Sequence, residues 1–180
     1  MQLKNRYLSP IDRYEKALQE LPPGHDDIKK AKQSIDSEYK SARLLEEYWI
    51  KRISKKRFEK INKTLSSTNI HFFIHEICDE IGVKRPKDII CDYKLLSRFT
   101  GAHYETATKT IVLGNVPNAK TAIHELAHHV VSIERIQGIK LPEHLSFLEE
   151  KEKILSMFHG KSFLWAEDLI FQIVEQNVKT

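Results

Sequence analysis

The chain has 180 residues and a net charge of +4, and 41% of its residues are hydrophobic while 30% are charged. These values exclude a disordered tail and a pair of ordinary domains, and they favour one compact, largely helical domain with a helical extension. No apolar run approaches the roughly 20 residues that span a bilayer, and residues 1–10 do not resemble a signal peptide, so we expect a cytoplasmic protein without a membrane partner.

The first predicted elements form a helical hairpin. Ser9 as a cap and Pro10 at the first helical position predict a short helix that runs to about Leu21. A longer helix capped by Asp26 is predicted next, because apolar residues recur there at three- and four-residue steps. They are Ile28, Ala31, Ile35, Ala42, Leu45 and Trp49. We expect this helix to continue through residues 51–63 and to end near Ser66, so that residues 1–66 form a basic helical extension.

The predicted extension carries the positive charge of the chain. Residues 1–70 contain 16 Lys and Arg against 10 Asp and Glu, whereas residues 71–180 contain 13 against 15. Seven basic residues in the segment 51–63 accompany a single acid, Glu59. They are Lys51, Arg52, Lys55, Lys56, Arg57, Lys60 and Lys63. A Lys-rich helix face either contacts phosphates or is simply solvated, so the sequence leaves nucleic acid open as an alternative partner.

The rest of the chain, residues 67–180, is predicted to mix helices with a small sheet. An amphipathic helix over residues 69–81 ends at Gly82, and strands are expected at residues 88–93, 102–105 and 110–113. A helix from Thr121 to about Gln137 follows, closed by Gly138. A charged helix over residues 143–157 and a last amphipathic helix complete an α+β fold with a small antiparallel or mixed sheet.

The segment His124-Glu125-Leu126-Ala127-His128 carries the strongest chemical signal. Residues four apart lie one helical turn above each other, so His124 and His128 present two imidazoles to one point, as tetrahedral zinc requires. Glu125 cannot share that ligand direction, but it can take a proton from a water that the metal activates. The alternative is an accidental string on a packed helix. The only cysteines lack Cys-x-x-Cys spacing, so zinc must be held mainly by histidine.

Catalytic zinc usually has three protein ligands, so a third must come from elsewhere in the chain. We choose His159, which lies at a predicted helix junction and is followed by Gly160, where the backbone can turn tightly. The alternatives are that His159 is a helix cap, that a downstream glutamate replaces it, or that His129 is a fallback ligand. The glutamates are Glu149, Glu150 and Glu152. His71 and His75 are also four apart, but we interpret them as surface or packing residues.

Residues 121–129, followed by His159-Gly160-Lys161-Ser162-Phe163, resemble SprT-like metallopeptidases and related phage-encoded zincins. Those families pair HExxH with a later His-Gly-x-x-Phe or Trp segment, and the resemblance implies that its histidine, here His159, is the third zinc ligand. The predicted hairpin of residues 101–113 also looks like the strand pair before the active-site helix of the family. The resemblance covers about residues 93–174, and the chain lacks the cysteine-rich zinc ribbon of many members.

The motif and the resemblance together predict a zinc metallopeptidase with a zincin-type domain over residues 67–180 and a protein or peptide substrate. Its metal ligands would be His124, His128 and His159, and Glu125 would serve as general base and then as acid. We expect the substrate to add to the sheet along residues 110–113, taken as an edge strand. Two alternatives are a non-catalytic DNA- or protein-binding module with structural zinc, and a regulatory zincin that cleaves one repressor-like partner.

Overall fold

The fold is mostly helical with one small sheet. The computed structural model describes residues 10–64, 67–95, 102–114, 117–134, 139–151 and 159–179. The helices are α1 (Pro10–Glu20), α2 (Asp26–Ile53), α3 (Lys55–Thr64), α4 (Ser67–Ile81), α5 (Ala119–Glu134), α6 (Ser146–Lys151) and α7 (Lys161–Lys179). The strands are β1 (Asp88–Cys91), β2 (Ala102–Glu105) and β3 (Thr110–Leu113), and short 3-10 helices cover Tyr93–Leu95 and Glu143–Leu145. The α+β class predicted from the sequence is confirmed.

The first two predicted helices are present and pack against each other as α1 and α2. The predicted cap of α2 is wrong by one position, because His25 and not Asp26 caps the helix. The Nδ1 atom of His25 accepts a hydrogen bond from the Asp27 amide at 3.2 Å. Asp26 already belongs to the first helical turn, where its negative charge complements the helix dipole. The predicted cap of α1, Ser9, lies outside the described residues.

The predicted continuous helix through the basic segment is wrong, because Ser54 interrupts it. Ser54 has a φ of 73° and separates α2 from α3. Ile53 and Phe58 lie five residues apart in the sequence. In an unbroken helix their side chains would point about 140° apart. The break allows both side chains to enter the core, where they are 5% and 3% exposed.

The sheet is mixed, and its strand order places β3 in the middle. β2 and β3 form the predicted antiparallel hairpin, with Tyr104 opposite Ile111, and β1 lies parallel to β3 on the other side. All residues of β3 are buried. The expectation that residues 110–113 form an edge strand for a substrate is therefore wrong, because both sides of β3 already pair with other strands. Among the described strands, β1 and β2 form the edges.

Three helices, α2, α5 and α7, pack around the region that contains the motif. Trp49 pairs with Asp168, and further along the same two helices Arg52 pairs with Glu175, so α2 and α7 run in the same direction. Buried residues of α2, α3, α4, α5 and α7 form one cluster with residues of β1 and β3. α2 and α3 therefore share the core with residues after 66, while a functional division at residue 66 stays a prediction.

The later helices agree with the predicted types and differ at their ends. α5 begins at Ala119 and reaches Glu134, and its predicted stop at Gly138 lies outside the described residues. The segment predicted as one charged helix begins with a 3-10 turn and continues as α6, and residues 152–158 are likewise outside the described part. In the part of the chain that the structure describes, no helix combines the length and the apolar character needed to cross a membrane.

Candidate metal centre

The motif lies on α5, a helix whose start is fixed by Asn118. The Asn118 side chain accepts a hydrogen bond from the Thr121 amide at 2.8 Å, and its backbone carbonyl accepts one from the Ala122 amide at 3.0 Å. The apolar face of α5 is buried against α7 and the sheet, which holds the helix rigidly. His124 and His128 lie one turn apart on this helix, with their ring centroids separated by 5.1 Å.

The structure brings His159 to the two motif histidines. His159 lies just before α7, and its ring centroid is 5.0 Å from the centroids of both His124 and His128. The Nε2 atoms of His124 and His159 are 3.1 Å apart. Two nitrogens bound to one tetrahedral zinc at the usual distance are separated by about 3.3 Å. The three rings can therefore hold a metal without a large movement, and their potential ligand atoms all lie within 4.8 Å of one another.

The three rings are neutral at neutral pH, which metal coordination requires. Burial lowers the pKa of His124 and of His159 below 6.5, and it lowers the pKa of His128 well below that value. The two other histidines add to the lowering for His128. For His159, a hydrogen bond with Glu38 opposes the effect of burial on the pKa. The site thus presents unprotonated ring nitrogens to a common point.

Two carboxylates face the outer nitrogens of these rings. Oε1 of Glu167, on α7, lies 3.3 Å from Nδ1 of His124, and Oε1 of Glu38, on α2, lies 3.2 Å from Nδ1 of His159. In both histidines Nδ1–H then faces an acid, while Nε2 faces the point on which the three histidine rings converge. Such contacts fix the tautomer and the orientation of a histidine ligand and raise its basicity. The donor set and its carboxylate partners fit a zinc ion.

Glu167 is an unusual carboxyl group because it is completely buried and the described residues give it no well-formed hydrogen bond. Its exposure is 0%, and burial raises its pKa well above 4.5. Among the described residues, neither of its oxygens has a hydrogen-bond partner, so the 3.3 Å contact with His124 meets the distance of an ion pair but not the angles of a hydrogen bond. A cation on Nε2 of His124 would make the Nδ1–H a stronger donor, which gives a physical reason for an acid at this position.

A second acid from α2, Glu46, also lies near His124. Its Oε2 atom is 2.6 Å from Nζ of Lys120, in the first turn of α5. Glu46, His124 and Glu167 also bring potential ligand atoms within 4.8 Å of one another. Lys120 already compensates the charge of Glu46, so these acids are better suited to orient His124 than to bind a further cation.

Glu125 lies beside the three histidines and is almost completely buried. Its exposure is 6%, and burial raises its pKa to about 7. The interaction with Glu167 raises the pKa of Glu125 further, whereas the interaction with His124 lowers it. The backbone amide of Tyr104, on β2, also lowers the pKa by donating a hydrogen bond to the carboxylate. A carboxyl group with a pKa near neutrality can both accept and return a proton.

His129 does not face the metal centre and is excluded as the fallback ligand. Its Nε2–H donates to the Lys84 carbonyl at 2.7 Å, and its Nδ1 accepts a hydrogen bond from the Tyr104 hydroxyl at 3.2 Å. These contacts tie α5 to β2 and to the chain just before β1. Because the Tyr104 amide also donates to Glu125, His129 helps to position this acid and does not belong to the three-histidine group.

The other candidate ligands named from the sequence do not form a site in the described part of the chain. His71 and His75 lie on α4 with ring centroids 6.3 Å apart, and they belong to no described group of three potential ligands. Asp79, one turn later, is held by Arg85 through two contacts of 3.0 and 2.6 Å. The side chains of the glutamates at positions 149, 150 and 152 lie outside the described residues, so that alternative stays untested.

Sequence reasoning missed the residues that surround the histidines. For Glu167 a signal was present, because this acid lies between Phe163 and Ile170 on the apolar face of the last predicted helix. An ionisable residue on a buried face points to a charge pair or a functional site. Glu38 gave the same signal, because it lies between Ile35 and Ala42 on the predicted apolar stripe of α2. Tyr39, whose ring lies 4.4 Å from that of His159, is beside the stripe and gave none.

Comparison of the chain with models of known protein families, with curated proteins and with solved structures gave no match. The resemblance to SprT-like metallopeptidases therefore rests on the motif residues alone.

Proposed function

We propose that this protein is a zinc-dependent metallopeptidase of the SprT-like kind with a zincin-type core. The observation that carries the proposal is the convergence of neutral ring nitrogens beside a buried acid. His124 and His159 approach to 3.1 Å through their Nε2 atoms, and His128 lies within ligand distance of both. Glu125 directly follows the first ligand. A purely structural site gives no role to an acid in this position, whereas peptide hydrolysis requires one.

Zinc held by these histidines would lower the pKa of a coordinated water and polarise the scissile carbonyl. Glu125 would accept a proton from the attacking water and then return it to the leaving amine. Its pKa of about 7 supports both transfers, and the Tyr104 amide fixes the carboxylate for them. Phe163 packs 4.9 and 4.5 Å from the rings of His124 and His128, so it excludes water from one side of the centre.

An extended protein or peptide substrate fits the edge of β2 better than the central strand β3. Among the described strands, β2 has β3 as its one neighbour, and the Tyr104 amide of β2 is directed to Glu125. Pairing along a strand edge binds the main chain of a substrate and selects weakly among side chains. We therefore expect low sequence specificity.

A non-catalytic module with structural zinc is the main alternative. Structural zinc usually has four protein ligands, whereas the histidine group in the described part of the chain has three members. A regulatory zincin with one repressor-like partner stays a prediction. Nucleic-acid binding by the exposed bases of α2 and α3 also stays a prediction, and two of these bases, Arg52 and Lys55, already pair with Glu175 and Glu59.

The first experiment measures bound zinc and proteolysis in the same variants. Wild-type protein should bind about one zinc per chain, and His124→Ala and His128→Ala should lose most of it, because two ligands rarely retain the metal. Glu125→Gln should keep zinc and fold, yet lose most cleavage of an unfolded protein such as casein, because the amide cannot take a proton. His75→Ala removes a histidine on α4 and is the matched control, with zinc and activity retained.

His159 distinguishes the SprT-like ligand set from one that contains a glutamate. His159→Ala should lose zinc and activity, while single Glu→Gln variants at positions 149, 150 and 152 should leave both nearly intact. A glutamate variant that loses the metal while His159→Ala keeps it would overturn the ligand assignment. Full turnover by Glu125→Gln at unchanged zinc content would overturn the proposed mechanism.

A further inference from the structure

Tyr39 of α2 packs on the metal centre and has none of the roles assigned above. Its ring centroid lies 4.4 Å from that of His159 and 5.9 Å from that of His124, with an interplanar angle of 21° to the His124 ring. The preceding residue, Glu38, contacts Nδ1 of His159. α2 therefore brings two consecutive side chains to the proposed metal ligands.

Among the described residues, nothing occupies the hydroxyl group of Tyr39. Within the described part of the chain it forms no hydrogen bond, and its side chain is only partly buried. Two other tyrosines of the protein differ in this respect, because the Tyr104 hydroxyl contacts His129 and the Tyr48 hydroxyl contacts Arg52. Tyr39 thus combines a ring packed on the proposed metal ligands with a hydroxyl that none of the described residues engages.

Burial and two nearby acids favour the protonated form of Tyr39. Burial raises the pKa of Tyr39 to about 12, and the charges of Glu125 and Glu38 add to the rise. At neutral pH the phenol keeps its proton and can donate it in a hydrogen bond.

We propose that Tyr39 is a catalytic residue whose hydroxyl donates a hydrogen bond to the oxyanion formed during peptide-bond hydrolysis. The proposal rests on the peptidase function proposed above and assigns it a further residue, from α2 rather than from the motif. Tyrosine side chains are suited to this task because a fixed donor in a water-poor site stabilises developing negative charge. The ring contacts with His159 and His124 hold the donor in place.

The hydrolytic step balances without any further reactant. The water oxygen forms a bond to the scissile carbonyl carbon, its proton passes to Glu125, and the π electrons of the carbonyl move to its oxygen. That oxygen accepts the hydrogen bond from Tyr39, which keeps its own proton. The electron pair then returns, the carbon–nitrogen bond breaks, and the amine leaves with the proton from Glu125.

The kinetic test compares Tyr39→Phe with wild type, because phenylalanine keeps the ring contacts and removes only the hydroxyl. We expect unchanged zinc content and a fall in kcat of about 100- to 1,000-fold, with little change in KM. Tyr48→Phe removes a hydroxyl from the same helix at a site that contacts Arg52, and it is the matched control with wild-type kcat. Wild-type kcat in Tyr39→Phe would overturn the proposal.

A binding test gives a readout that does not depend on turnover. Two peptide ligands are compared on the zinc-loaded proteins by calorimetry, one with a tetrahedral phosphonate in place of the scissile amide and one with a thiol. The phosphonate mimics the oxyanion, so Tyr39→Phe should bind it at least about tenfold more weakly, whereas its affinity for the thiol should be unchanged. Equal loss for both ligands would show that the tyrosine only shapes the site and would overturn the proposal.

The two proposals fail in different ways. If Glu125→Gln abolishes cleavage while Tyr39→Phe cleaves and binds the phosphonate like wild type, the peptidase stands and the role of Tyr39 is refuted. If zinc-loaded wild type neither cleaves protein nor binds the phosphonate, the peptidase function is refuted, and the role of Tyr39 with it.

Discussion

Two neighbouring acids of α7, Glu167 and Asp168, are predicted to respond in opposite ways when each is replaced by its isosteric amide. Both are buried, with exposures of 0% and 1%. Glu167 faces His124, one of the proposed metal ligands, at 3.3 Å, whereas Asp168 holds side chains of the core. The pair therefore allows metal binding and folding to be separated at adjacent positions of one helix.

Asp168 accepts hydrogen bonds that an asparagine cannot all replace. Its Oδ1 accepts from Nε1 of Trp49 at 2.8 Å, its Oδ2 accepts from Nε2 of Gln172 at 2.8 Å, and Nε2 of His144 lies 3.1 Å from each oxygen. The NH2 group of an asparagine would face one of these donors and leave it unsatisfied, which costs about 1–3 kcal/mol. We expect Asp168→Asn to lower the free energy of unfolding by that amount and to keep the wild-type affinity for zinc.

Glu167→Gln should leave the metal-free protein nearly unchanged. Its carboxyl oxygens have no hydrogen-bond partner among the described residues, and its raised pKa already favours the uncharged form. When zinc is bound, however, an amide oxygen is a weaker acceptor than a carboxylate for the Nδ1–H of His124. Loss of such a partner lowers metal affinity about 10- to 100-fold, or about 1.4 to 2.8 kcal/mol.

Urea unfolding of the metal-free proteins gives the stabilities, and competition with a chromophoric chelator gives the zinc affinities. Glu175→Gln, on the same helix but paired with Arg52, is the control and should keep zinc affinity. Wild-type zinc affinity in Glu167→Gln, or the same loss of affinity in Asp168→Asn, would refute the argument that Glu167 acts on the metal through His124.

Two further predictions concern the backbone and the core. Ser54→Gly should raise the free energy of unfolding by about 1 kcal/mol, because glycine tolerates the φ of 73° at this position. Urea unfolding measures the change, and a lower stability would contradict the backbone strain at Ser54. Cys78 should react with iodoacetamide at pH 8 far more slowly than the less buried Cys91, because burial raises its pKa to about 12 and leaves about one thiol in 10⁴ ionised. Mass spectrometry of the folded protein measures the two rates, and equal rates would contradict the packing of α4.

Local sequence patterns were sufficient for the elements whose signals are local. The hairpin of β2 and β3 has the predicted bounds, because two short β-rich runs flank a turn in which Lys109 has a φ of 59°. α4 ends at Ile81 because Gly82 takes a φ of 79° there. The motif spacing likewise placed His124 and His128 on one helix face, since a helical turn fixes that relation.

Patterns failed where the structure depends on which element packs against which. β1 and β3 pair in parallel, and nothing in residues 88–91 indicates that this strand would cover the second side of β3. The break at Ser54 was missed for a different reason. The apolar stripe of α2 changes phase between Ile53 and Phe58, and this change is visible in the sequence. Basic residues lie on both sides of Ser54, however, and this continuity favoured a single helix.

The pairing of α2 with α7 lies beyond any local pattern and decides the surroundings of the metal centre. Glu38 and His159 are 121 residues apart in the chain, so their contact depends on the whole fold. The apolar stripe of α2 shows that this helix packs against something without showing what. Glu38 and Glu46 lie about two helical turns apart on α2. When the apolar stripe packs against α7, both acids therefore lie on the helix face that is directed toward the candidate metal centre. α2 contacts His159 through Glu38 and packs Tyr39 on the rings of His159 and His124. The proposed chemistry of the motif therefore depends on a helix that the charge pattern assigned to an extension.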